Sequence, residues 1–503
     1  MAPTVEASPR IAIFGAGAAG ICTAIKLIEA GLDDITMFEK SDGVGGTWRA
    51  NTYPGAACDV PSHLYSYSFA SKGDWTRKFA QQPEILAYFE EITDRYGLRR
   101  LIRFNTEVRS ATFDENTGTW RVVTDAGAED FDVVVSGLGQ LNRAYVPEID
   151  GLSQFAGDMF HSAHWDHSVD LSGRRVAVVG NGASALQFIP HVAEQASELT
   201  VFQRSANWVI DKRDGEYPGW RQRMFARFPA TQRLHRWSIY WRLEANFALL
   251  RRSSRVARLL ERVITRALEP VTAVLPSEAV IPDYPIGCKR ILLSSDYYAA
   301  LMRDNVHVEL DHIDHIEPDA VVTVDGRRHE VDTIIWGTGF RSTEFLAPMT
   351  VIGRDGRDLN EAWAKGAVAY IGVAVAGFPN LFMLYGPNTN LGHNSIIFMI
   401  EQQSRYIVEM VKELRDQHLA WIDVRRDAMD RYNVDVQRRA GDTVWVASCD
   451  SWYKNEHGIV TNNWPAFTVT YWKRMRGIRR GDHVRRHRAV AATTSPELRH
   501  EIV

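Results

Sequence analysis

Residues 10–31, RIAIFGAGAAGICTAIKLIEAG, limit the fold more than any other stretch of the chain. A β-branched apolar run meets Gly15-x-Gly17-x-x-Gly20 and then a helix-period pattern, which predicts strand, tight turn and helix. The first glycine makes the turn, the second lets backbone N–H groups approach a pyrophosphate, and the third lets helix and strand pack closely. The next strand pattern, DITMFEK, ends in Glu39, nineteen residues past Gly20, where a carboxylate accepts hydrogen bonds from a ribose diol.

The unit recurs at RRVAVVGNGASALQFIPHV, with Gly180-x-Gly182-x-x-Ala185 and Gln187 on the predicted helix, followed by the strand pattern LTVFQRS. This strand ends in Gln203-Arg204-Ser205 in place of an acid. A carboxylate there would repel a 2′-phosphate, whereas Arg204 and Ser205 would hold one, so the second site is expected to prefer NADP(H). An acidic ribose clamp in one unit and a phosphate clamp in the other assign FAD to the first and NADPH to the second. Two further strand patterns, FDVVVSGLG and VDTIIWGTGF, end in the glycine pairs Gly137/Gly139 and Gly337/Gly339. They read either as turns that carry the chain between two doubly wound domains or as ordinary strand exits.

Composition narrows the alternatives. A chain of 503 residues, 45% hydrophobic and 24% charged, is too long for one core and predicts two or three domains. A net charge of −4 offers no global field for nucleic acid. The cysteines Cys22, Cys58, Cys288 and Cys449 form no C-x-x-C pair and no metal-spaced group with histidines, a pattern read as unpaired thiols of a reducing cytosol and as no metal site. No G-x-S-x-G elbow supports hydrolase chemistry. The first ten residues lack a signal-peptide pattern, and no apolar run approaches the roughly 18 residues of a bilayer span, so a cytoplasmic location is expected.

Two longer motifs carry a family resemblance. Phe155-x-Gly157-x-x-x-His161-x-x-x-Trp165-Asp166 fits F-x-G-x-x-x-H-x-x-x-W-[P/D], and Gly45-Gly46-Thr47-Trp48, Tyr53-Pro54-Gly55 and Asp59 fit [A/G]-G-x-W-x-x-x-x-[F/Y]-P-[G/M]-x-x-x-D. From about residue 10 to about 475 the chain resembles the type I Baeyer–Villiger monooxygenases of the class B flavin-dependent group. The resemblance implies oxygenation of a ketone by NADPH and dioxygen, through an anionic flavin peroxide, to an ester or lactone. N- or S-oxygenation by a related enzyme is the alternative, and a redox-sensing protein that binds both nucleotides without turnover is a third.

The resemblance also implies roles. His161 and Trp165 would help control domain movement and cofactor placement. Arg290, in PIGCKRILLSSDYYAALMRDNVHV, would be the catalytic cation beside the flavin, with Asp59 orienting it. Lys289 would reach the 2′-phosphate alongside Arg204. Thr47, Trp48, Tyr65 and the backbone of Val108 would touch FAD, and Trp452, in CDSWYKNEHGIVTNNWP, would touch NADP from a loop over the cofactor.

The expected fold is α/β with two Rossmann-like domains: an FAD domain from 1–146 and 378–503, split around an NADP domain at 147–377. Residues 218–276 read as a helical insertion with a dozen arginines and only three acids. It fits a lid, a solvated structural face, or a surface making peripheral membrane contact. The basic run KRMRGIRRGDHVRRHR near the C-terminus reads as a poorly ordered end.

Overall fold

The computed structural model describes residues 8–488 except 448, 450, 477 and 478. Strand β1 (Ile11–Phe14) is buried at all four positions and leads through α1 (Ala18–Glu29) to β2 (Ile35–Phe38), β3 (Ile102–Arg103) and β4 (Val133–Ser136). The chain then crosses into a second sheet through β5 (Asp158–His161), β6 (Arg175–Val179), α2 (Ala183–Gln195) and β7 (Glu198–Phe202). Helices α3 (Gly219–Arg227), α4 (Pro229–Ala245) and α5 (Arg255–Ala267) interrupt this sheet before β8 (Val306–Glu309) and β9 (Thr333–Trp336) complete it. Strand β10 (Leu381–Met383) and helix α6 (Ile396–Asp416) return to the first unit.

Both sheets are parallel throughout, in the orders β10-β4-β1-β2-β3 and β8-β7-β6-β9-β5. Parallel strands buried on both faces read as continuous apolar runs, which is why IAIF, VVVS and TIIW show no alternation. Ligands of such sheets bind beyond the carboxyl ends of the strands.

The glycine pairs mark the crossings. Past Gly139 and Gly339 the two connecting segments run antiparallel and touch, with an Ala144–Phe340 bridge and Tyr145 N–H donating to the Gly339 carbonyl at 2.9 Å.

Several expectations need correction. The return to the first core precedes residue 377: Thr350–Ile352 pairs with Val108–Asp114, and Phe345, Leu346 and Leu359 are packed in that core. The insertion is helical but is not simply a solvated face. Ile239 and Tyr240 of α4 join the first core, and the buried Glu244 carboxylate accepts from Asn394 Nδ2 (2.9 Å), Thr468 Oγ1 (2.7 Å) and Val469 N–H (3.1 Å). Ile264 of α5 packs in a cluster with Trp445 and Tyr453.

The cysteines are not all unpaired: Cys288 and Cys449 form a disulfide across 161 residues, with Cα atoms 6.4 Å apart, while Cys22 and Cys58 are free and buried. Sequence spacing could not show this, because the pairing depends on the α5 cluster bringing both segments together. The basic C-terminal run, where it is described at 473–476 and 479–488, is built into the fold. Its His483–His487 strand pairs antiparallel with Leu419–Val424, and Arg485 bonds Glu413 at 2.7 Å.

Candidate active site

The carboxyl ends of both sheets open onto one cleft of about 1560 Å³. Its walls include Gly15, Gly17, Glu39, Gly46, Thr47, Trp48, Asp59, Tyr65 and Val108 from the first unit. From the second come Trp165, Gly180, Gly182, Gln187, Arg204, Ser205, Lys289 and Arg290, with Trp452 from the late loop. Gly20, Ala185 and His161 are not in the walls.

In the first cradle a Cβ on Gly46 would lie 3.1 Å from the Cα of Gly17, so two loops leave a channel that any larger residue would fill. Gly20 works behind it: a Cβ there would sit 1.9 Å from the Gly15 carbonyl oxygen. Glu39, buried at the tip of β2, accepts from the N–H groups of Ala16 at 2.8 Å and Ser41 at 2.9 Å. These bonds fix its carboxylate at the cleft wall and leave lone pairs for a diol. Trp48 Nε1–H donates to Tyr65 Oη at 3.0 Å, which locks the two rings edge to face. Gln140, also in the wall, is buried, donates to the Tyr385 carbonyl at 2.8 Å, and has an amide oxygen without a partner among the described residues. The glycine channel leaves room for a pyrophosphate, and the free buried acceptor in the same cleft fits an N–H at the polar edge of a ring.

The second cradle repeats the geometry with other charges. A Cβ on Gly180 would meet the Gly337 carbonyl oxygen at 2.6 Å, and the Ala185 methyl packs at the same glycine. Where the first unit has its acid, Gln203 is buried and neutral, its side chain accepting from Asn181 at 2.9 Å and donating to the Ala279 carbonyl at 2.8 Å. Arg204 is exposed at the cleft edge, and Lys289 Nζ donates to Ser205 Oγ at 2.9 Å. Lys289 and Ser205 thus meet, and Arg204, next to Ser205 in the chain, lines the same cleft, an arrangement suited to a phosphate.

Between the cradles, Arg290 Nε donates to Asp59 Oδ2 at 2.8 Å and a second guanidinium nitrogen bonds the same oxygen. The Asp59 charge raises the Arg290 pKa well above its already high ordinary value, so the guanidinium is a fixed cation. Burial pushes the Tyr453 phenol up to about 12 despite Arg290 beside it, so this hydroxyl remains neutral and able to donate. Tyr453 escaped the sequence reading although Trp452, its neighbour in the same loop, did not. Its signal was proximity to the loop's tryptophan, but only the fold brings it to Arg290. The Cys288–Cys449 bond joins the residue before Lys289-Arg290 to that loop.

The signature histidine has a structural setting. His161 Nδ1 accepts from Ala163 N–H at 3.0 Å, its ring lies against Phe340, and burial lowers its pKa to about 4, so it is neutral. Trp165 packs between Phe160 and Phe188 at 5.1 and 5.2 Å and reaches the cleft. Gln187, on the helix of the second cradle, ties the units together: it accepts from Ala57 N–H (3.1 Å) and donates to the Ala57 carbonyl (3.0 Å). Ala57 is two residues from Asp59, so this strut links α2 to the segment that orients Arg290. No His/Cys/Asp/Glu cluster capable of holding a metal exists among the described residues.

Two dinucleotide cradles opening onto one cleft, with a clamped arginine between them, make a two-nucleotide fold suited to redox chemistry. Residues 8–238 match the flavin-binding monooxygenase-like family. A Baeyer–Villiger monooxygenase of Pseudomonas aeruginosa is 42% identical over 473 residues, spanning 93% of this chain and 89% of that protein. An oxidized steroid monooxygenase bound to NADP superposes with a TM-score of 0.84 at 31% identity, covering 96% of this chain and 100% of that one. The OTEMO complex with FAD and NADP gives 0.86 at 27% identity, covering 95% and 100%. The chain therefore belongs to the Baeyer–Villiger monooxygenases, a branch of the flavin-dependent oxidoreductases.

Proposed function

We propose that this chain inserts one atom of dioxygen beside the carbonyl of a ketone, giving an ester or lactone, with FAD in the first cradle and NADPH in the second. The observation that carries the reading is Arg290, held by Asp59 at the junction of the two cradles. When bound, FAD and NADPH supply the electrons and oxygen activation: two electrons from NADPH reduce the second oxygen atom to water.

The residues of the chain bind, orient and stabilise. The glycine channel between Gly17 and Gly46 would admit the flavin pyrophosphate, Glu39 would take the ribose hydroxyls, and Thr47, Trp48, Tyr65 and the Val108 backbone would touch FAD from the cleft wall. Arg204, Ser205 and Lys289 would hold the 2′-phosphate, and Trp452 would touch NADP from the late loop in the cleft wall. Negative charge builds on oxygen as the carbonyl is attacked, and a permanent, forked donor stabilises it without giving up a proton. Asp59 keeps that fork from swinging free. Sulfur or nitrogen oxygenation requires no such anion stabilisation, and the relatives and solved structures above favour the ketone reaction.

Arg290→Ala is expected to retain flavin and its reduction by NADPH, while ester formation drops about 100- to 1,000-fold. Normal ester yield from that variant would remove Arg290 from the mechanism.

A further inference from the structure

The insertion's helices carry outward surfaces that the cleft does not use. Eighteen large apolar side chains are exposed among the described residues, and nine of them fall within 218–276: Trp220, Phe228, Leu234, Trp237, Trp241, Val256, Leu259, Val263 and Val274. Their spacing is helical. Leu234, Trp237 and Trp241 lie at i, i+3 and i+7 on α4 and are 52–71% exposed. Val256, Leu259 and Val263 repeat that spacing on α5 at 57–61%. Each helix therefore has two apolar stripes, one buried in a core and one facing outward, whereas a solvated surface helix needs only the buried stripe.

Charge accompanies the outward stripes. Arg255, Arg258, Arg262 and Arg266 form an exposed ridge beside the α5 stripe, and Arg233 and Arg242 flank the α4 tryptophans. None of these six arginines has an ion-pair partner among the described residues. Of the three acids in 218–276, Glu244 is buried in hydrogen bonds, Glu261 is tied to Ile286 N–H at 2.8 Å, and Glu269 alone is exposed. Both outward stripes are thus apolar and flanked by arginines, that of α4 bearing two tryptophans, within a chain of net charge −4.

We propose that α4 and α5 dock on an anionic lipid surface, with Trp237, Trp241 and the α5 stripe entering the headgroup boundary and the arginines pairing with lipid phosphates. Tryptophan favours that boundary because its ring is apolar and its N–H polar, and arginines beside an apolar stripe add electrostatic attraction. The mode is peripheral, since no helix among the described residues is long and apolar enough to span a bilayer. Helix α4 also connects this face to the site. Its inner side holds Asn394, a cleft-wall residue, through Glu244, and Arg236 donates to the His63 carbonyl at 2.6 Å, two residues before Tyr65. An apolar ketone dissolved in the bilayer would be the substrate class served, a deduction that rests on the ketone reading above; the docking itself does not.

Flotation of the full-length holoenzyme tests it, using vesicles of phosphatidylcholine with one-third phosphatidylglycerol against phosphatidylcholine alone. The wild type is expected to float with the anionic vesicles and to be released by high salt. Trp237→Ser/Trp241→Ser should weaken binding about tenfold, and Arg255→Glu/Arg258→Glu/Arg262→Glu about a hundredfold. Turnover of a water-soluble ketone is expected to stay unchanged in both variants, which separates failure of docking from failure of the oxygenation reading. Absence of wild-type flotation at low salt, or equal flotation of wild type and variants, overturns the proposal. So does a stable dimer in light scattering that the tryptophan variants disperse, because a second copy would then cover the face.

Discussion

The two nucleotide cradles share a backbone and differ in charge. In each, the first glycine of the turn abuts a glycine at the exit of the neighbouring strand, Gly15 against Gly137 and Gly180 against Gly337. At the tip of the second strand they part: Glu39 is a buried carboxylate fixed by two backbone N–H groups, whereas Gln203 is buried and neutral and Arg204 stands in the open beside Ser205 and Lys289. The glycines build a place for a pyrophosphate, and the residue after the second strand decides which ribose follows. They differ also at the third motif position, where Gly20 has no room for a methyl group and Ala185 already carries one.

That last contrast offers the largest effect. Gly20→Ala places a methyl group against the Gly15 carbonyl, a clash with backbone, and should yield protein without bound flavin at a cost of about 1–3 kcal/mol or more. Ala185→Gly should keep both nucleotides and lose only about 1 kcal/mol of stability. Flavin absorbance and thermal melting measure both, and a flavin-replete Gly20→Ala protein would break the comparison.

Next comes the charge at the clamp. Arg204→Ala should weaken NADPH by about 1–3 kcal/mol and leave NADH nearly unchanged, read as the ratio of their KM values. Equal losses for both nucleotides would undo the 2′-phosphate assignment.

The smallest effect concerns rigidity. The second cradle has a covalent tie, Cys288–Cys449, between the Lys289-Arg290 segment and the Trp452 loop, while the cysteines of the first unit are free. Cys449→Ser should raise the KM for NADPH about two- to fivefold with flavin content intact, because a looser loop costs ordering entropy on binding. Unchanged KM would show that the noncovalent packing of Tyr453 and Trp445 holds the loop alone.

What could be read from the chain and what could not follow a physical division. Strand, turn and helix at Gly15 and Gly180 were legible because local backbone requirements force glycine at fixed spacing. Asp59 and Arg290 were legible only through the motif resemblance, and their contact spans 231 residues, a distance no local pattern encodes. The Cys288–Cys449 bond, the Gln187–Ala57 strut and Tyr453 beside Arg290 were missed for the same reason. The early return near Thr350 was hidden because a three-residue strand gives too short a periodicity to assign to either sheet. The order of the basic C-terminal run depends on partners elsewhere, Leu419–Val424 and Glu413, so its charge alone misread it.

The most direct test of the central claim is turnover of purified protein with NADPH, a panel of linear, aromatic and cyclic ketones, and isotopically heavy dioxygen, with products followed by mass. The expected result is an ester or lactone carrying one heavy oxygen atom. Hydrogen peroxide without ester from every ketone, together with labelled sulfoxides or N-oxides when sulfides and amines are supplied, would contradict it.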